Sequence, residues 1–146
     1  MAEAAEKKIE LRVIAPTMET DKSPYRFRKE VDMVIMRCST GDMGILPGRV
    51  PVSSVLGTGV LRIFDEDSER HMAVLGGVAH VSDNVVTILS DCAQKPDELD
   101  LAALTTELKD LQSLYEKTAA LNEKQTISND IHRCKVQIEV AETVKK

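Results

Sequence analysis

The chain of 146 residues contains no tryptophan, and aromatic residues make up only 3% of it. Base-stacking platforms and aromatic cages for cationic ligands need such rings, so neither is expected here. Basic residues are also too few for a nucleic-acid stripe: 19 Lys and Arg stand against 24 Asp and Glu, for a net charge of −5. Cys38, Cys92 and Cys134 are widely spaced and form no CxxC pair. That pattern argues against a disulfide framework or a zinc site and fits reduced thiols. No stretch approaches the roughly 20 apolar residues of a membrane span, so no direct membrane insertion is expected. Residues 1–8 lack the apolar core of a secretory signal and are expected to be a disordered N-terminus.

What is present divides the chain into two halves with different periods. The composition, 42% hydrophobic and 29% charged, suits one globular domain with an appendage. Ile9, Leu11 and Val13 alternate with Glu10 and Arg12, the period-two pattern of a half-buried strand. Further β-rich runs follow at Val31–Met36, Val60–Phe64, His71–Leu75, Val78–Ser82 and Val85–Leu89. Turn residues separate them, with Gly76-Gly77 expected to break one run and Asp83-Asn84 to turn another. Short strands at this spacing predict an antiparallel sandwich or barrel over residues 9–94.

From residue 97 onward the period becomes helical. Leu101, Leu104, Leu108, Leu111 and Tyr115 form one apolar stripe, and Ile127, Ile131, Cys134, Ile138 and Ala141 form a second. Asp97 or Asp100 is placed to cap the first helix. Residues 97–146 therefore read as a two-helix hairpin with one narrow seam per helix. Such a pair closes on itself, lies against the sandwich, or docks on another protein. Its modest buried area makes it a candidate for a mobile element, with a static docked hairpin as the equal alternative.

One loop stands apart. Gly41-Asp42-Met43-Gly44-Ile45-Leu46-Pro47-Gly48-Arg49-Val50-Pro51 packs three glycines and two prolines into eleven residues. Neither a helix nor a central strand suits that composition. Ile45 and Leu46 between the glycines are expected to face either a partner or the protein's own core, where they would plug the loop into it. Chemistry is harder to find. His71, His80 and His132 are isolated from one another, no nucleophile elbow or phosphate loop is present, and the acidic clusters lack calcium-loop spacing. No catalytic residue, cofactor or metal ligand is assigned.

The order of elements, together with three motifs, resembles the epsilon subunit of F-type ATP synthase, called delta in mitochondria. The loop is similar to the family's Gly-Glu-x-Gly-Ile-x-Pro-Gly-His-x-Pro. Gly57-Thr58-Gly59-Val60-Leu61-Arg62-Ile63 is similar to its Pro-Gly-x-x-x-Ile. Leu75-Gly76-Gly77-Val78-Ala79-His80-Val81 and Asn84 through Ala93 are similar to its Ser-Gly-Gly-x-x-x-Val and Val-Thr-Val-Leu-Ala-Asp-x-Ala. The resemblance implies a β-sandwich of about ten strands followed by a helical hairpin. It implies a non-catalytic rotor subunit, packed on the gamma subunit and seated on the membrane c-ring, at the cytoplasmic face of the cell membrane. In bacterial members the hairpin extends toward the alpha/beta catalytic head and inhibits ATP hydrolysis. The c-ring contact would fall on Asp42, Met43 and Arg49, and the regulatory cations of the hairpin on Lys124, Arg133 and Lys135.

Against the family's pattern the sequence departs at several points, among them a second helix less basic than in strongly inhibitory members, so that inhibition of hydrolysis does not follow from the resemblance alone. Arg49 replaces the frequent His, and a guanidinium does not titrate near neutrality, so that contact should be insensitive to pH. The segment from Pro16 to Lys29 is longer than usual and lacks a glycine often found there. In the ATP-binding motif of some bacterial members, Leu99 and Asp100 are kept but Ala103 replaces the Arg. An acid without its guanidinium repels phosphate, so no ATP site is expected. A reading from another class is a free-standing adaptor that uses the hairpin to engage a different helical partner.

Overall fold

The computed structural model describes residues 8–16, 25–48 and 51–143, with Tyr25 and Arg26 as backbone only. The strands are β1 (Ile9–Ile14), β2 (Tyr25–Val31), β3 (Met33–Cys38), β4 (Gly41–Ile45), β5 (Val52–Asp65), β6 (Ser68–Ser82), β7 (Val85–Leu89) and β8 (Ala93–Gln94). A 3-10 turn at Pro96–Glu98 leads to helices α1 (Leu101–Lys117) and α2 (Leu121–Glu142). The expected run of residues 1–7 lies outside the described residues, as does most of the long segment after Pro16. Lys8, expected within the disordered terminus, is held by Asp65 at 2.7 Å.

Alternation decides which residues face inward. Ile9, Leu11 and Val13 on β1, Val34 and Met36 on β3, and Val86 and Ile88 on β7 are all buried in one core. The strands form a single hydrogen-bonded path in the order β2-β1-β7-β6-β5-β3-β4, with β8 beside β6. β1 pairs with β7 in parallel, whereas every other pairing is antiparallel.

The β5–β6 hairpin turns this path into two layers. Its register runs from Val52↔Val81 to Asp65↔Ser68. Partway along, the inward positions change phase, from Leu56 to Leu61 and Ile63 on β5, and from Met72 and Val74 to Ala79 and Val81 on β6. The change falls where Leu56 meets Gly77 and Thr58 meets Leu75. Gly76 and Gly77 there have φ of 83° and 125°, which other residues rarely adopt. A Cβ on Gly77 would sit 2.2 Å from the carbonyl oxygen of Leu89. The hydroxyl of Ser90 lies 2.7 Å from the Gly76 carbonyl and accepts the Cys92 N–H at 3.2 Å, fixing the crossing strand over the bend.

The bend brings both ends of the hairpin to one end of the molecule. There Asn84 accepts the Glu10 N–H through its carbonyl, at 2.8 Å, and the Gly48 N–H through its side chain, at 2.7 Å. On the other layer, Lys8 and Lys29 both pair with Asp65. The hydrogen bond from Lys8, followed by that from Lys29, holds the Asp65 carboxyl below its ordinary value. The fold is therefore a sandwich and not a closed barrel, with β2 and β4 as outer strands. It has eight strands among the described residues, in place of about ten. The glycine pair does not break a run but lets one 15-residue strand serve both layers.

The helical hairpin forms as the periodicity predicts. The Asp100 carboxylate caps α1, accepting from the N–H groups of Ala102 at 3.1 Å and Ala103 at 3.3 Å. Leu104, Cys134 and Ala141 are buried between the helices, with Leu101, Leu108, Leu111 and Ile138 around them. A second face of α2 is also apolar. Val136 and Val140 pack on Ala73 of β6, with Val60, Leu75 and Leu99 at the margin. Two polar contacts flank this seat: His132 Nε2 to the Thr58 carbonyl at 3.1 Å, and the Gln137 amide to Gln94 at 2.6 Å. The hairpin is folded down on the outer face of the layer that contains β3 and β4.

Gly77→Ala should destabilise the protein by more than about 3 kcal/mol, because backbone strain adds to a clash with the Leu89 carbonyl. Gly48→Ala has a positive φ but open space around its Cβ, so it should cost only about 1 kcal/mol. Urea denaturation of the two variants checks the difference; equal losses would show that the bend does not depend on Gly77.

Candidate partner-docking surfaces

The glycine- and proline-rich segment begins as an edge strand. Gly41–Ile45 is β4, paired only with β3 among the described residues, from Cys38↔Gly41 to Val34↔Ile45. An edge position suits a sequence that could not be a central strand. Alternation turns Met43 and Ile45 inward, and Asp42 and Gly44 outward. Ile45 is fully buried. Leu46, expected to plug the core beside it, is 57% exposed because the strand ends and the chain turns at Pro47-Gly48.

Of the residues expected at a partner contact, Asp42 is exposed and accepts from Arg37 Nη1 across the strand pair at 3.2 Å. Met43 is half-buried and packs against the sandwich core, so the alternation of β4 turns it away from an outer contact. Arg49 lies outside the described residues. Asp42 sits near the β3–β4 turn, whereas Gly48 is tied to Asn84 beyond the other end of the strand. Asp42 instead shares a cleft of about 330 Å³ with Arg37, Arg62, and His132 and Glu139 of α2.

The outer face of the opposite layer carries an apolar row that the sequence analysis missed. Val55 pairs with Val78, Val78 with Leu89, and Leu89 with Ile14, across β5, β6, β7 and β1. Val55 is 61% exposed, Val78 47% and Leu89 46%. Ile14 is half-buried. The next row on the same face is polar: Ser53, His80, Thr87 and Arg12. The signal was partly present in the alternation, since Val55, Val78 and Leu89 are aliphatic residues out of phase with the core on three adjacent strands. Finding it required the register, which the sequence did not supply.

On the hairpin, Lys124 lies over the Tyr115 ring at 4.9 Å, while Arg133 and Lys135 are exposed on α2. Leu121 is 84% exposed at the tip, with Leu114 and Tyr115 close to it in sequence on α1. Asp100 spends its carboxylate on the helix cap, and Ala103 beside it offers no charge.

The three histidines lie apart. His71 Nε2 is 3.3 Å from Glu69, His80 Nδ1 is 2.8 Å from Ser53 Oγ, and His132 contacts Thr58. The Ser53–His80 pair sits on the open sheet face, and no carboxylate backs the imidazole among the described residues, as a nucleophilic triad requires. No group of three metal-binding side chains occurs among the described residues. No helix there is long and apolar enough to cross a membrane.

Known proteins resemble this arrangement in sequence and in shape. Residues 9–96 match the family model for the β-sandwich domain of the ATP synthase delta/epsilon chain. The ATP synthase epsilon chain of Synechococcus elongatus is 42% identical over 91 residues, 62% of each chain. That match spans less than two thirds of the relative. The epsilon chain of a Bradyrhizobium species is 32% identical over 120 residues, 82% of this chain and 83% of that one. In shape, a chain of the Euglena gracilis mitochondrial ATP synthase superposes with a TM-score of 0.66 at 22% identity, over 97% of this chain and 86% of that chain. The family model over residues 9–96 and the Bradyrhizobium relative together place this chain in the delta/epsilon chain family of ATP synthase.

Proposed function

We propose that the protein is a non-catalytic rotor subunit of an F-type ATP synthase, joining the gamma subunit to the c-ring so that ion flow is coupled to ATP synthesis. The exposed row of Val55, Val78 and Leu89 carries the reading. An apolar stripe across adjacent strands with a polar margin has the anatomy of an interface core and rim. We assign it to gamma. Asp42, on the opposite outer face, and the Leu46–Gly48 turn are assigned to the polar loops of the c-ring. The complex would sit at the cytoplasmic face of the membrane, with this chain peripheral to it.

The hairpin is read as a regulator of ATP hydrolysis. Only Val136 and Val140 of α2 are fully packed on the sheet, so release exposes little apolar area. The exposed Leu121 at its tip, with Arg133 and Lys135 on its flank, suits contact with the alpha/beta head when the hairpin extends. Its control does not run through ATP binding at Asp100, because that carboxylate is engaged in the cap and Ala103 supplies no phosphate partner.

Three outcomes are expected. Val78→Glu should reduce recovery of gamma with this chain at least tenfold while leaving the melting temperature close to that of the parent, because the side chain is already half exposed; undiminished recovery would remove the row from the interface. Removing residues 97–146 should raise ATP hydrolysis by the assembled enzyme and leave proton- or sodium-driven synthesis intact; unchanged hydrolysis would deny the hairpin an inhibitory role. Calorimetric titration of the isolated chain with ATP should show no micromolar binding, and such binding would overturn the assignment of Asp100 to the cap alone.

A further inference from the structure

A cleft of about 530 Å³ opens along one side of the sandwich, a size that suits a small ligand. β2 is the outer strand of one layer there, and β8 lies beside β6 at the margin of the other. Phe27 of β2 walls the cleft on one side, and Ile63 of β5 with Met72 of β6 form its floor. Ile63 and Met72 belong to the sandwich core, and Phe27 packs against it. Lys95, Pro96 and Asp97 line the rim where the chain leaves β8, and Thr143 borders it from the end of α2.

Alternation aims two cations into this space. Met72 and Val74 face the core, and Arg70 is in phase with them. Ala93 of β8 faces the core opposite Val74, so Lys95, two residues on, takes the same phase beside Met72. Lys29, in phase with Phe27 on β2, is already held by Asp65 at 2.9 Å. Arg70 and Lys95 have no ion pair among the described residues. Two carboxylates also line the cleft, those of Glu69 and Asp97. Glu69 is committed to Arg62 at 2.6 Å and lies 3.3 Å from His71. Asp97 offsets one of the two free cations, which leaves a single positive charge above an apolar floor. That combination matches a monoanion with an apolar body. A polyphosphate brings more charge than the rim can offset, and it would meet Glu69 and Asp97 as well.

We propose that this cleft binds a medium-chain fatty acid. Its carboxylate meets Arg70 and Lys95, and its aliphatic chain lies between Phe27, Ile63 and Met72. The guanidinium offers a carboxylate two parallel hydrogen bonds, and the Lys95 ammonium adds a point charge beside them. The chain of the ligand fills space between the layers and displaces no residue. The site uses none of Asp42, the Val55–Leu89 row, Asp100 or the hairpin tip. It is independent of the rotor assignment and stands or falls by itself.

The test uses the full chain labelled with ¹⁵N, titrated with octanoate below its micelle concentration. The amides of Arg70, Met72, Lys95 and Asp97 should shift together along one saturating curve. Acetate has the charge without the chain, and 1-octanol has the chain without the charge. Each should bind at least about tenfold more weakly than octanoate. Arg70→Glu, at an exposed position, should weaken octanoate by a similar factor and favour octylammonium in its place. Absence of shifts at millimolar octanoate, or shifts centred on Val55, Val78 and Leu89, would overturn the proposal. Equal binding of acetate or of octanol, or an Arg70→Glu variant that binds octanoate unchanged, would overturn it as well.

Discussion

The bend of the β5–β6 hairpin is the constraint from which the rest of the molecule follows. Two long strands must leave one layer and enter the other without losing their mutual pairing. That requires a change in which residues face inward, and the change occurs opposite the only adjacent glycines in the chain. Gly76 and Gly77 supply backbone angles that a side chain would resist, and Gly77 leaves room for the Leu89 carbonyl. Ser90 then fastens the passing strand to the bend through its hydroxyl. With the fold-over in place, Asn84 and Asp65 come to one end of the molecule and bind β1 and the segment around Gly48.

The same fold-over separates the outward surfaces. One layer shows Val55, Val78 and Leu89 to the outside, while the other shows Ala73, Val60 and Leu75. The second set is covered by α2 and the first is not, although Val55 and Val78 lie on the same two strands as the second set. Residue size accounts for part of this difference: Ala73 is small enough for the backbone of α2 to approach, so Val136 and Val140 reach the sheet. The hydrogen bond between Gln137 and Gln94 and the contact from His132 to Thr58 fix the helix position along the strands. These few contacts hold the hairpin, whereas the helix–helix seam through Leu104 and Cys134 does not depend on the sandwich at all. The helix pair therefore has a seam of its own, separate from its seat on the sheet.

Much of this was readable from the residues, and the exceptions share a cause. The alternation of Ile9, Leu11 and Val13 gave β1 and its buried face, and the stripes from Leu101 and from Ile127 gave both helices and their common seam. Asp100 was recognisable as a cap because a carboxylate stood just before the first stripe. The role of Gly76-Gly77 was misjudged because a glycine pair has the same local signature whether a strand ends or bends; only its partner strand distinguishes the two. Leu46 was misplaced because the strand stops at Ile45, and alternation carries no instruction beyond a strand's end. Val136 and Val140 went unnoticed because α2 has two apolar faces, and the stripe facing α1 is the longer one. The Val55–Val78–Leu89 row needed the register of three strands, which residues far apart in sequence set together. Local chemistry thus wrote the elements, and tertiary pairing decided their neighbours.

Pro96 shows how closely the two halves are linked. The chain must leave the sheet after β8 to begin the helices, and a proline at that point ends pairing because it cannot donate. The 3-10 turn it starts sends the Leu99 N–H back to the Pro96 carbonyl, removing the acceptor as well. Asp100 then caps α1 one residue later. A strand that continued past Gln94 would carry the chain along the β6 edge, away from the face on which α2 rests. The short pairing of β8 is therefore a direct consequence of attaching the hairpin where it is. Natural sheets protect such edges with charge, and Glu69, Arg70 and Lys95 stand at this one. Charges of both signs at its end deter indiscriminate pairing with another strand.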